Sequence, residues 1–411
     1  MAIKRTSHRL GDRDRRNLDM IETIRRSKTT TKTDLSRDTG YNIVTVSNYI
    51  TTYIKKGFVY ERGLDSSTGG RRPELVEINK KYAYTIGIDT GEADVESRII
   101  GTLIDFSNKI VLKIKDPRPT ENVSQTLERA VKMVGKIVEE AAKMEIKDIK
   151  GLGIGISGVL HEDTGTVRNH QSGSIADYNP AMNTIENKFG FPAYLANDAT
   201  VAVLAEKSFF RYEGMRNIIY MYGDQGCGLI INDELYEGSS GSAGEMVIFG
   251  TGGVNYKYGD CACKFVSNPG TDFGVMQEIQ NLAEAKSAEL ASSGIVKALG
   301  PDLKGLSIEK IAEIAKKGDG LCKKLLKGAG EQLGIKVAYL VNLLNPDMII
   351  IGGGFEKAGD AFIGPVKETV NTWAADEAAK TVRIMPSQAG EDVVALGAAC
   401  IAMREVILSE L

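Results

Sequence analysis

Two adjacent arginines, Arg71 and Arg72, follow the flexible pair Gly69-Gly70 and precede Pro73. Glycine reaches backbone angles that are closed to other residues, whereas proline restricts the path by which the chain leaves a turn. Guanidinium groups on such a tip are suited to pair with phosphates or to enter a narrow minor groove. The spacing therefore predicts a basic hairpin tip that contacts double-stranded DNA.

A second group of side chains that could read DNA lies upstream, in the segment 42–56. Asparagine can bond adenine at two atoms, and threonine or valine can touch the methyl group of thymine. The N-terminal half of a recognition helix normally presents these side chains to the major groove. We therefore predict base contacts from Asn42, Val44, Thr45 and Asn48.

A winged helix-turn-helix would position both groups of residues. Helical spacing, capping residues and β-branched runs predict three helices and two strands. The predicted helices cover 15–26, a segment from an N-cap at Thr33 to Thr39, and 42–56, and the predicted strands cover 58–62 and 74–78. The buried side of the last helix is expected to contain Ile43, Val46, Ile50 and Ile54.

The charge distribution supports a separate DNA-binding head. Residues 1–81 contain 18 Lys and Arg against 10 Asp and Glu, a net charge of +8, whereas the remainder has 33 against 44, a net charge of -11. A basic head on an acidic body indicates that the head alone meets a polyanion. A basic end that is merely solvated and a small helical protein-interaction domain are the alternatives.

Length and composition set broader limits. A chain of 411 residues, 42% hydrophobic and 26% charged, is expected to hold two or three globular domains. No apolar run reaches transmembrane length, and the first thirty residues are basic, so we expect a cytoplasmic protein without membrane contact. The five cysteines, at positions 227, 261, 263, 322 and 400, are too scattered for a disulfide framework.

From Thr33 to the C-terminus, the chain resembles the ROK family (repressors, open reading frames and sugar kinases) in its regulator form, with an N-terminal winged helix. The segments that carry the resemblance are 86–91, 151–158, 197–199, 235–238, 241–245, 349–354 and 395–399, after the Gly-Gly-Arg-Arg-Pro motif. The resemblance implies an α/β protein, with an N-terminal winged helix-turn-helix followed by a two-lobed actin/hexokinase-like (ribonuclease H-like) ROK domain. It implies domain limits of 1–81 for DNA binding, 82–197 plus 393–411 for the first lobe, and 198–392 for the second lobe.

Periodicity agrees independently with an α/β class. Short apolar strands at 152–156, 217–222 and 348–351 alternate with helical stretches at 124–144, 199–209 and 325–344.

Two loops that bind phosphate in active family members are altered here. The loop after Asp89 is longer than usual and has gained three acids, Glu92, Asp94 and Glu96. Like charges about 5 Å apart, at an effective dielectric near 20, repel by several kcal/mol. The second loop, residues 223–228, has an aspartate and a glutamine where the family has threonine and glycine. We therefore expect that ATP is not bound and that kinase activity has been lost.

The resemblance also implies an effector site. Asp198 matches the general base of the family, Asn197 matches a sugar contact, and Glu245 matches a glutamate that grips ring hydroxyls. Without competent phosphate loops, we expect Asp198 to be a vestigial base that hydrogen-bonds the ligand. His170 is a further candidate contact, and a surface histidine is its alternative interpretation.

The zinc motif of the family is reduced to Cys261 and Cys263, with no histidine after Glu245. Two thiolates do not complete a tetrahedral zinc site, so we expect no zinc unless distant ligands join this pair. The missing histidine also helps to hold a hexose in this family. We therefore expect hexose binding less strongly than the family fold alone would suggest.

The sequence therefore predicts a transcriptional regulator that acts as a repressor and is not an enzyme. Its expected partners are a double-stranded DNA operator, a small sugar-like effector and further copies of itself, as a homodimer or tetramer. The alternatives are an ATP-dependent sugar kinase that retains a DNA-binding domain and a ligand-independent DNA-binding scaffold.

Overall fold

The computed structural model describes eight stretches of the chain: 10–64, 74–91, 98–118, 122–161, 164–168, 175–223, 226–246 and 275–411. These stretches form two units. The first unit contains the chain up to Arg168 together with Ile175–Arg211 and Val394–Leu411, and the second contains Tyr212–Val393. The predicted limits of the three domains stay a prediction, since this division groups the N-terminal head with the first lobe.

The N-terminal head has three helices and a small sheet. Its elements are α1 (Asp12–Ser27), β1 (Thr29–Thr31), α2 (Lys32–Thr39), α3 (Ile43–Lys56), β2 (Val59–Leu64) and β3 (Glu74–Ile78). The three strands pair antiparallel in the order β1-β3-β2. Two helices followed by a strand pair are the expected helix-turn-helix and wing.

Local caps explain where α2 begins and ends. The hydroxyl of Thr31 accepts a hydrogen bond from the Asp34 amide, with an Oγ1–N distance of 3.1 Å, so the N-cap is Thr31. The predicted N-cap, Thr33, is wrong by two positions, because it already lies in the first turn of the helix. Gly40 ends α2 at a φ of 73°, which favours glycine, as predicted.

The first lobe is built on a mixed sheet. Its strands and helices are β4 (Tyr84–Asp89), β5 (Ile99–Asp105), β6 (Ile110–Asp116), α4 (Val123–Lys143), β7 (Ile149–Ile156), β8 (Val159–His161), β9 (Thr166–Arg168), β10 (Ile175–Asp177), α5 (Asn179–Phe189), β11 (Ala193–Asn197) and α6 (Asp198–Phe209). Strands β4, β7 and β11 are parallel, and β5 and β6 extend the sheet antiparallel on the other side of β4. The resulting order is β11-β7-β4-β5-β6, while β8, β9 and β10 form a separate small sheet.

The second unit repeats this strand order. Its elements are β12 (Ile218–Tyr222), β13 (Gly226–Ile231), β14 (Glu234–Leu235), α7 (Val275–Glu284), α8 (Ala288–Ser292), α9 (Gly294–Leu299), α10 (Ile308–Lys316), α11 (Gly320–Leu344), β15 (Met348–Gly352), α12 (Asp360–Trp373), α13 (Asp376–Thr381) and β16 (Arg383–Pro386). The sheet has the order β14-β13-β12-β15-β16, with the first three strands antiparallel and the last two parallel to β12. Two sheets of the same topology are what the predicted two-lobed fold requires.

The last helix, α14 (Val393–Glu410), packs closely on the first-lobe sheet. Thr85 and Thr102 donate hydrogen bonds from their hydroxyls to carbonyl oxygens of this helix, to Ala399 O at 2.9 Å and to Ala395 O at 3.2 Å. Gly87 lies so near that an added Cβ would be 1.9 Å from Ala395 O. The small apolar residues of α14 therefore allow close contact between helix and sheet.

Within the described residues, no helix is both long enough and apolar enough to span a membrane.

Candidate functional site

Helix α3 presents a continuous exposed surface at its N-terminal end. The side chain of Asn42 caps the helix by accepting a hydrogen bond from the Thr45 amide, with an Oδ1–N distance of 2.8 Å. Val44 is 66% exposed and Asn48 is exposed one turn later. These positions fit the predicted contact with bases, although the cap occupies the Asn42 oxygen that a two-atom contact with adenine would use.

The buried side of α3 differs from the predicted stripe. Val46 and Ile50 are buried as expected, but Ile43 is 46% exposed and Ile54 is 38% exposed. Tyr53 takes their place in the core, and its hydroxyl donates to Asn17 Oδ1 at 2.9 Å. At about 100° per residue, burial is centred on the side of positions 46, 50 and 53, so positions 43 and 54 lie at its edge.

The strands of the predicted wing are present. Residues of β2 and β3 pair antiparallel, with Tyr60 opposite Glu77, and the register shifts between Glu61 and Leu64. The wing tip, with Arg71 and Arg72, lies outside the described residues. Its predicted contact with DNA therefore stays a prediction, supported by the two strands that lead to it.

An aromatic cluster joins the head to the first lobe. No motif or periodicity in the sequence predicted this cluster. The rings of Phe58, Tyr82 and Phe106 contact one another, with centroid separations of 4.6, 5.0 and 5.3 Å. The guanidinium carbon of Arg25 lies 4.8 Å from the centroid of the Phe106 ring, and Arg25 Nε donates to Phe106 O at 2.7 Å. We call Arg25, Phe58, Tyr82 and Phe106 the junction cluster.

Helix α14 reinforces this connection. Lys150 Nζ lies 3.9 Å from the centroid of the Tyr82 ring and 3.3 Å from Glu410 Oε1. Arg13 Nη2, in the head, donates to Leu411 O at 2.8 Å. Burial raises the pKa of the Cys400 thiol in α14 to about 12, and the nearby carboxylate of Glu22 in α1 adds to the effect. The head and the first lobe are thus packed together by specific contacts.

Two of the predicted effector residues lie at one edge of the first-lobe sheet. Asn197 ends β11, and its Oδ1 accepts hydrogen bonds from the amides of Ala199 and Thr200 at 2.9 and 3.2 Å. Its Nδ2 donates to Gly158 O at 3.2 Å, so this side chain holds the turn after β7 against the start of α6. Asp198 follows in the first turn of α6, where the helix dipole stabilises a carboxylate.

Strand β4, which pairs with β7, brings a second acid, Asp89, to the same edge. Asp89 pairs with Gly155, and Asn197 pairs with Ile156, so the carboxyl ends of β4, β7 and β11 are aligned. Asp89 Oδ1 accepts from the Gly91 amide at 2.8 Å. Ligands of α/β proteins characteristically bind beyond the carboxyl ends of parallel strands. This edge is therefore the candidate ligand site of the first unit.

Glu245 lies in the second unit, beside the start of β13. It forms a bridge with Gly226, and the amide of Cys227 donates to Gly244 O at 2.8 Å. Gly244 has a φ of +91°, and a Cβ there would lie 1.9 Å from Cys227 O, so only glycine suits this position. Burial raises the pKa of the Cys227 thiol to about 12, and the charge of Glu245 contributes.

The remaining predicted site residues lie outside the described residues: His170, Cys261 and Cys263, together with the acids at 92–97 and residues 224–225 of the second phosphate loop. Their roles stay predictions. Among the described residues, no group of three or more His, Cys, Asp or Glu is arranged to hold a metal ion.

Comparisons with known proteins agree on the family of this chain. A family model described as the ROK family matches residues 85–405. The xylose repressor of Caldicellulosiruptor bescii is 29% identical over 397 residues, which cover 93% of this chain and 94% of that protein.

Two solved structures share the fold. A ROK family transcriptional regulator, described as a homologue of the E. coli MLC protein, has a TM-score of 0.72 at 18% identity and covers 96% of this chain and 99% of its own. A ROK family glucokinase from Streptomyces griseus, in complex with glucose and AMPPNP, has a TM-score of 0.61 at 22% identity and covers 78% of this chain and 99% of its own. The predicted α/β fold, a helix-turn-helix head followed by two lobes, is confirmed.

Proposed function

We infer that this chain, which belongs to the ROK family, is a sugar-sensing, DNA-binding transcriptional repressor. The observation that carries this inference is the exposed N-terminal face of α3 in a winged helix, on a chain that a named repressor matches almost from end to end. A repressor acts on the chromosome, so a cytoplasmic location belongs to the same proposal. The predicted operator contacts are Asn42, Val44, Thr45, Asn48, Arg71 and Arg72.

The effector that we propose is a pentose, with xylose as the first candidate. The name of the relative from C. bescii supplies the sugar. The chain also lacks the histidine after Glu245 that helps to hold a hexose in this family. A pentose in its six-membered (pyranose) ring form has no hydroxymethyl group beyond the ring, so it needs fewer polar partners than a hexose.

A binding titration tests this proposal. A fluorescent duplex from the DNA upstream of the gene for this chain is expected to form a specific complex that weakens steeply as salt rises. Xylose is expected to lower the affinity, and glucose at the same concentration is expected to have a smaller effect. Failure to form a specific complex, without sugar and at low salt, would contradict the repressor function.

Asp198 provides a test of the effector site and of the kinase alternative. Asp198→Asn removes a charged acceptor, and a hydrogen bond to a charged group is worth about 1.5–3 kcal/mol, so we expect xylose to bind about 10- to 100-fold more weakly. The affinity for operator DNA without sugar is expected to be unchanged. Calorimetry with xylose measures the first effect and the duplex titration measures the second.

Asp302→Asn, an exposed aspartate of the second unit, is the matched control and is expected to bind xylose normally. A coupled assay for ADP is expected to detect no phosphorylation of xylose by the unmodified chain. Phosphorylation that disappears in Asp198→Asn would instead support the kinase alternative.

The junction cluster is proposed to carry the effector signal to the DNA-binding head. The segment 79–83 between β3 and β4 is itself fixed by backbone hydrogen bonds, from the Asn79 amide to Phe58 O at 2.8 Å and from the Phe106 amide to Lys80 O at 3.2 Å. Because head and first lobe are packed through this cluster, a ligand that shifts the first lobe also shifts the head. Such a ligand must have different affinities for the two positions of the first lobe, and the coupling free energy is typically about 1–3 kcal/mol.

Phe106→Leu is expected to weaken this coupling without removing DNA binding. Leucine keeps the position apolar but loses the ring that contacts Arg25, Phe58 and Tyr82. We expect operator affinity within about 3-fold of the unmodified chain, and a xylose effect reduced by about 5-fold or more. Phe191→Leu, in the first-lobe core with its ring stacked on that of Phe189, is expected to keep the full xylose effect. An unchanged response in Phe106→Leu would exclude the cluster as the route of the signal.

The operator-bound form is proposed to be a homodimer or a larger even assembly. Two winged helices bind two half-sites, and the two-fold symmetry of such an operator matches the two-fold symmetry of a protein dimer.

A further inference from the structure

Helix α6 leads from the candidate ligand site of the first unit to the DNA-binding head. Its first turn contains Asp198, one of the predicted effector residues, and its last residue is Phe209. Two positions further, Arg211 donates a hydrogen bond from Nη2 to the carbonyl oxygen of Arg26, at 3.0 Å. Arg26 lies in the last turn of α1, in the head. One short helix, about 18 Å long, therefore separates the predicted ligand contact from the head.

The bond from Arg211 satisfies a backbone group that α1 cannot satisfy by itself. The last four carbonyl groups of an α-helix have no partner within the helix, and this end carries a partial negative charge. A guanidinium placed there gains a hydrogen bond and a favourable interaction with the helix dipole. Both Arg211 and Arg26 are exposed, so water competes for the contact. The contact can therefore form or break while both helices stay folded.

Close packing against α14 gives α6 a fixed pivot. A Cβ added to Gly397 of α14 would lie 1.8 Å from Val201 O, so the two backbones are in contact near the start of α6. Residues 199–203 are buried, whereas residues 207–210 are only partly buried. From the pivot, the helix extends about 4.5 Å back to its first residue and about 12 Å on to its last. A tilt about the pivot therefore moves the end beside the head roughly three times as far as the end at the ligand site.

The far end of α6 approaches α1 at a second place. Ser208 forms a hydrogen bond with the thiol of Cys400, a buried residue of α14. The carboxylate of Glu22 and the guanidinium of Arg25, both in α1, lie near the same thiol. The end of α6, the middle of α14 and the last two turns of α1 therefore meet around one point.

The turn that follows α1 is strained, so the direction of this helix depends on the contacts at its end. Lys28 has a φ of +61° and a ψ of -53°, close to the strained form of the γ-turn and in a region that residues other than glycine rarely adopt. Before this turn, Arg26 is held by Arg211. After it, Thr29 pairs with Glu77 in the head sheet. Loss of the bond from Arg211 leaves the turn free to relax and α1 free to change direction.

We propose that Arg211 is a positioning residue through which a ligand at Asp198 changes the position of the DNA-binding head. A ligand that binds the first turn of α6 tilts the helix, and the shift at its far end forms or breaks the bond to Arg26. Because Arg25 is the neighbour of Arg26, the change enters the junction cluster directly. The proposal rests on the proposed function, since it names the start of the route by which the sugar signal reaches the head.

Arg211→Met tests this role, because methionine keeps an apolar stem but loses the guanidinium. The xylose effect, which is the ratio of operator affinities without and with xylose, is expected to fall by about 5-fold or more. Operator affinity without sugar is expected to stay within about 3-fold of that of the unmodified chain. Calorimetry is expected to give an unchanged affinity for xylose. A purely structural role would instead lower the melting temperature or both affinities and leave the ratio unchanged.

Two further variants control for the loss of charge. Arg211→Lys retains a cation that can donate to Arg26 O, and it is expected to keep most of the xylose effect. Arg216→Met removes an exposed guanidinium that pairs with Asp233 in the second unit, and it is expected to keep the full effect. A xylose effect in Arg211→Met equal to that of the unmodified chain overturns the proposal.

Amide hydrogen exchange, measured without sugar or DNA, separates this proposal from the proposed function. In Arg211→Met, the amides of residues 24–31 are expected to exchange about 5-fold or more faster than in the unmodified chain, while those of β4 and β7 exchange as before. Unchanged exchange at 24–31 would show that Arg211 does not hold the end of α1, and the proposal would be wrong whatever the effector is. Faster exchange in a chain whose unmodified form shows no xylose effect would support the Arg211 contact and contradict the proposed effector.

Discussion

Arg71→Ala combined with Arg72→Ala is expected to abolish specific operator binding, with an affinity loss of about 100-fold or more. Each guanidinium is expected to contact a phosphate or to enter the minor groove. A contact with a phosphate releases counterions, and a narrow minor groove attracts the positive charge through its negative potential. The slope of the logarithm of affinity against the logarithm of salt is expected to fall in magnitude by roughly 2. Titration of a labelled duplex at several salt concentrations measures both quantities.

The same double variant is expected to keep its response to xylose. The predicted effector residues Asn197 and Asp198 lie at the end of β11 and the start of α6, not on the wing, so thermal stabilisation by xylose is expected to be unchanged. Arg118→Ala with Lys143→Ala removes two exposed cations of the first lobe and is the matched control, expected to bind operator almost normally. Unchanged operator affinity in the wing variant would show that the wing tip does not contact DNA.

Gly87→Ala is expected to be the most destabilising single substitution considered for the first lobe. A Cβ at this position would lie 1.9 Å from Ala395 O and 2.5 Å from the Ala399 amide nitrogen. Both atoms belong to the backbone of α14, which hydrogen bonds from Thr85 and Thr102 hold in place. The strain cannot be relieved by a side-chain rotation, so we expect a loss of about 3 kcal/mol or more in the free energy of unfolding.

Denaturant unfolding followed by circular dichroism measures this loss. Gly135→Ala is the matched control, because Gly135 lies inside α4 and the nearest atom to its added Cβ would be 3.7 Å away. Alanine favours a helix over glycine by up to about 1 kcal/mol, so this control is expected to be as stable as the unmodified chain or more stable. Equal stability of Gly87→Ala would show that α14 does not pack as closely as the structure indicates.

Several elements of the head could be read from the sequence because their signals are local. Asn42 caps α3 and Gly57 ends it, as predicted, since an N-cap and a left-handed glycine act on residues within one turn. The same reasoning placed the N-cap of α2 at Thr33 when Thr31 holds it, because a run of threonines offers several equivalent caps. The predicted burial of Ile43 and Ile54 was wrong for a different reason. Periodicity identifies which side of a helix faces the core, but it does not show how wide the buried part of that side is.

The candidate ligand site could be predicted only in part from the sequence. The resemblance pointed to Asn197 and Asp198, and the capping of α6 by Asn197 is local, whereas the bond from Asn197 to Gly158 O joins it to a turn 39 positions earlier. Asp89 joins the same sheet edge because β4 and β11 both pair with β7. Such pairings follow from the order of strands in the sheet, which no short stretch of sequence contains.

The sequence by itself determined the basic head, the order of the three helices and the strand pair in that head, and the residue types at the predicted DNA-binding and ligand positions. These properties depend on composition and on neighbours within about four residues, which side-chain periodicity and caps record. Only the tertiary structure decided that Arg25 meets Phe106, 81 positions later, that Gly87 faces α14, and that Asn342 bonds Trp373 O. Those contacts arise when distant backbones pack at close range, and their formation depends on the shape of the whole core rather than on any local pattern.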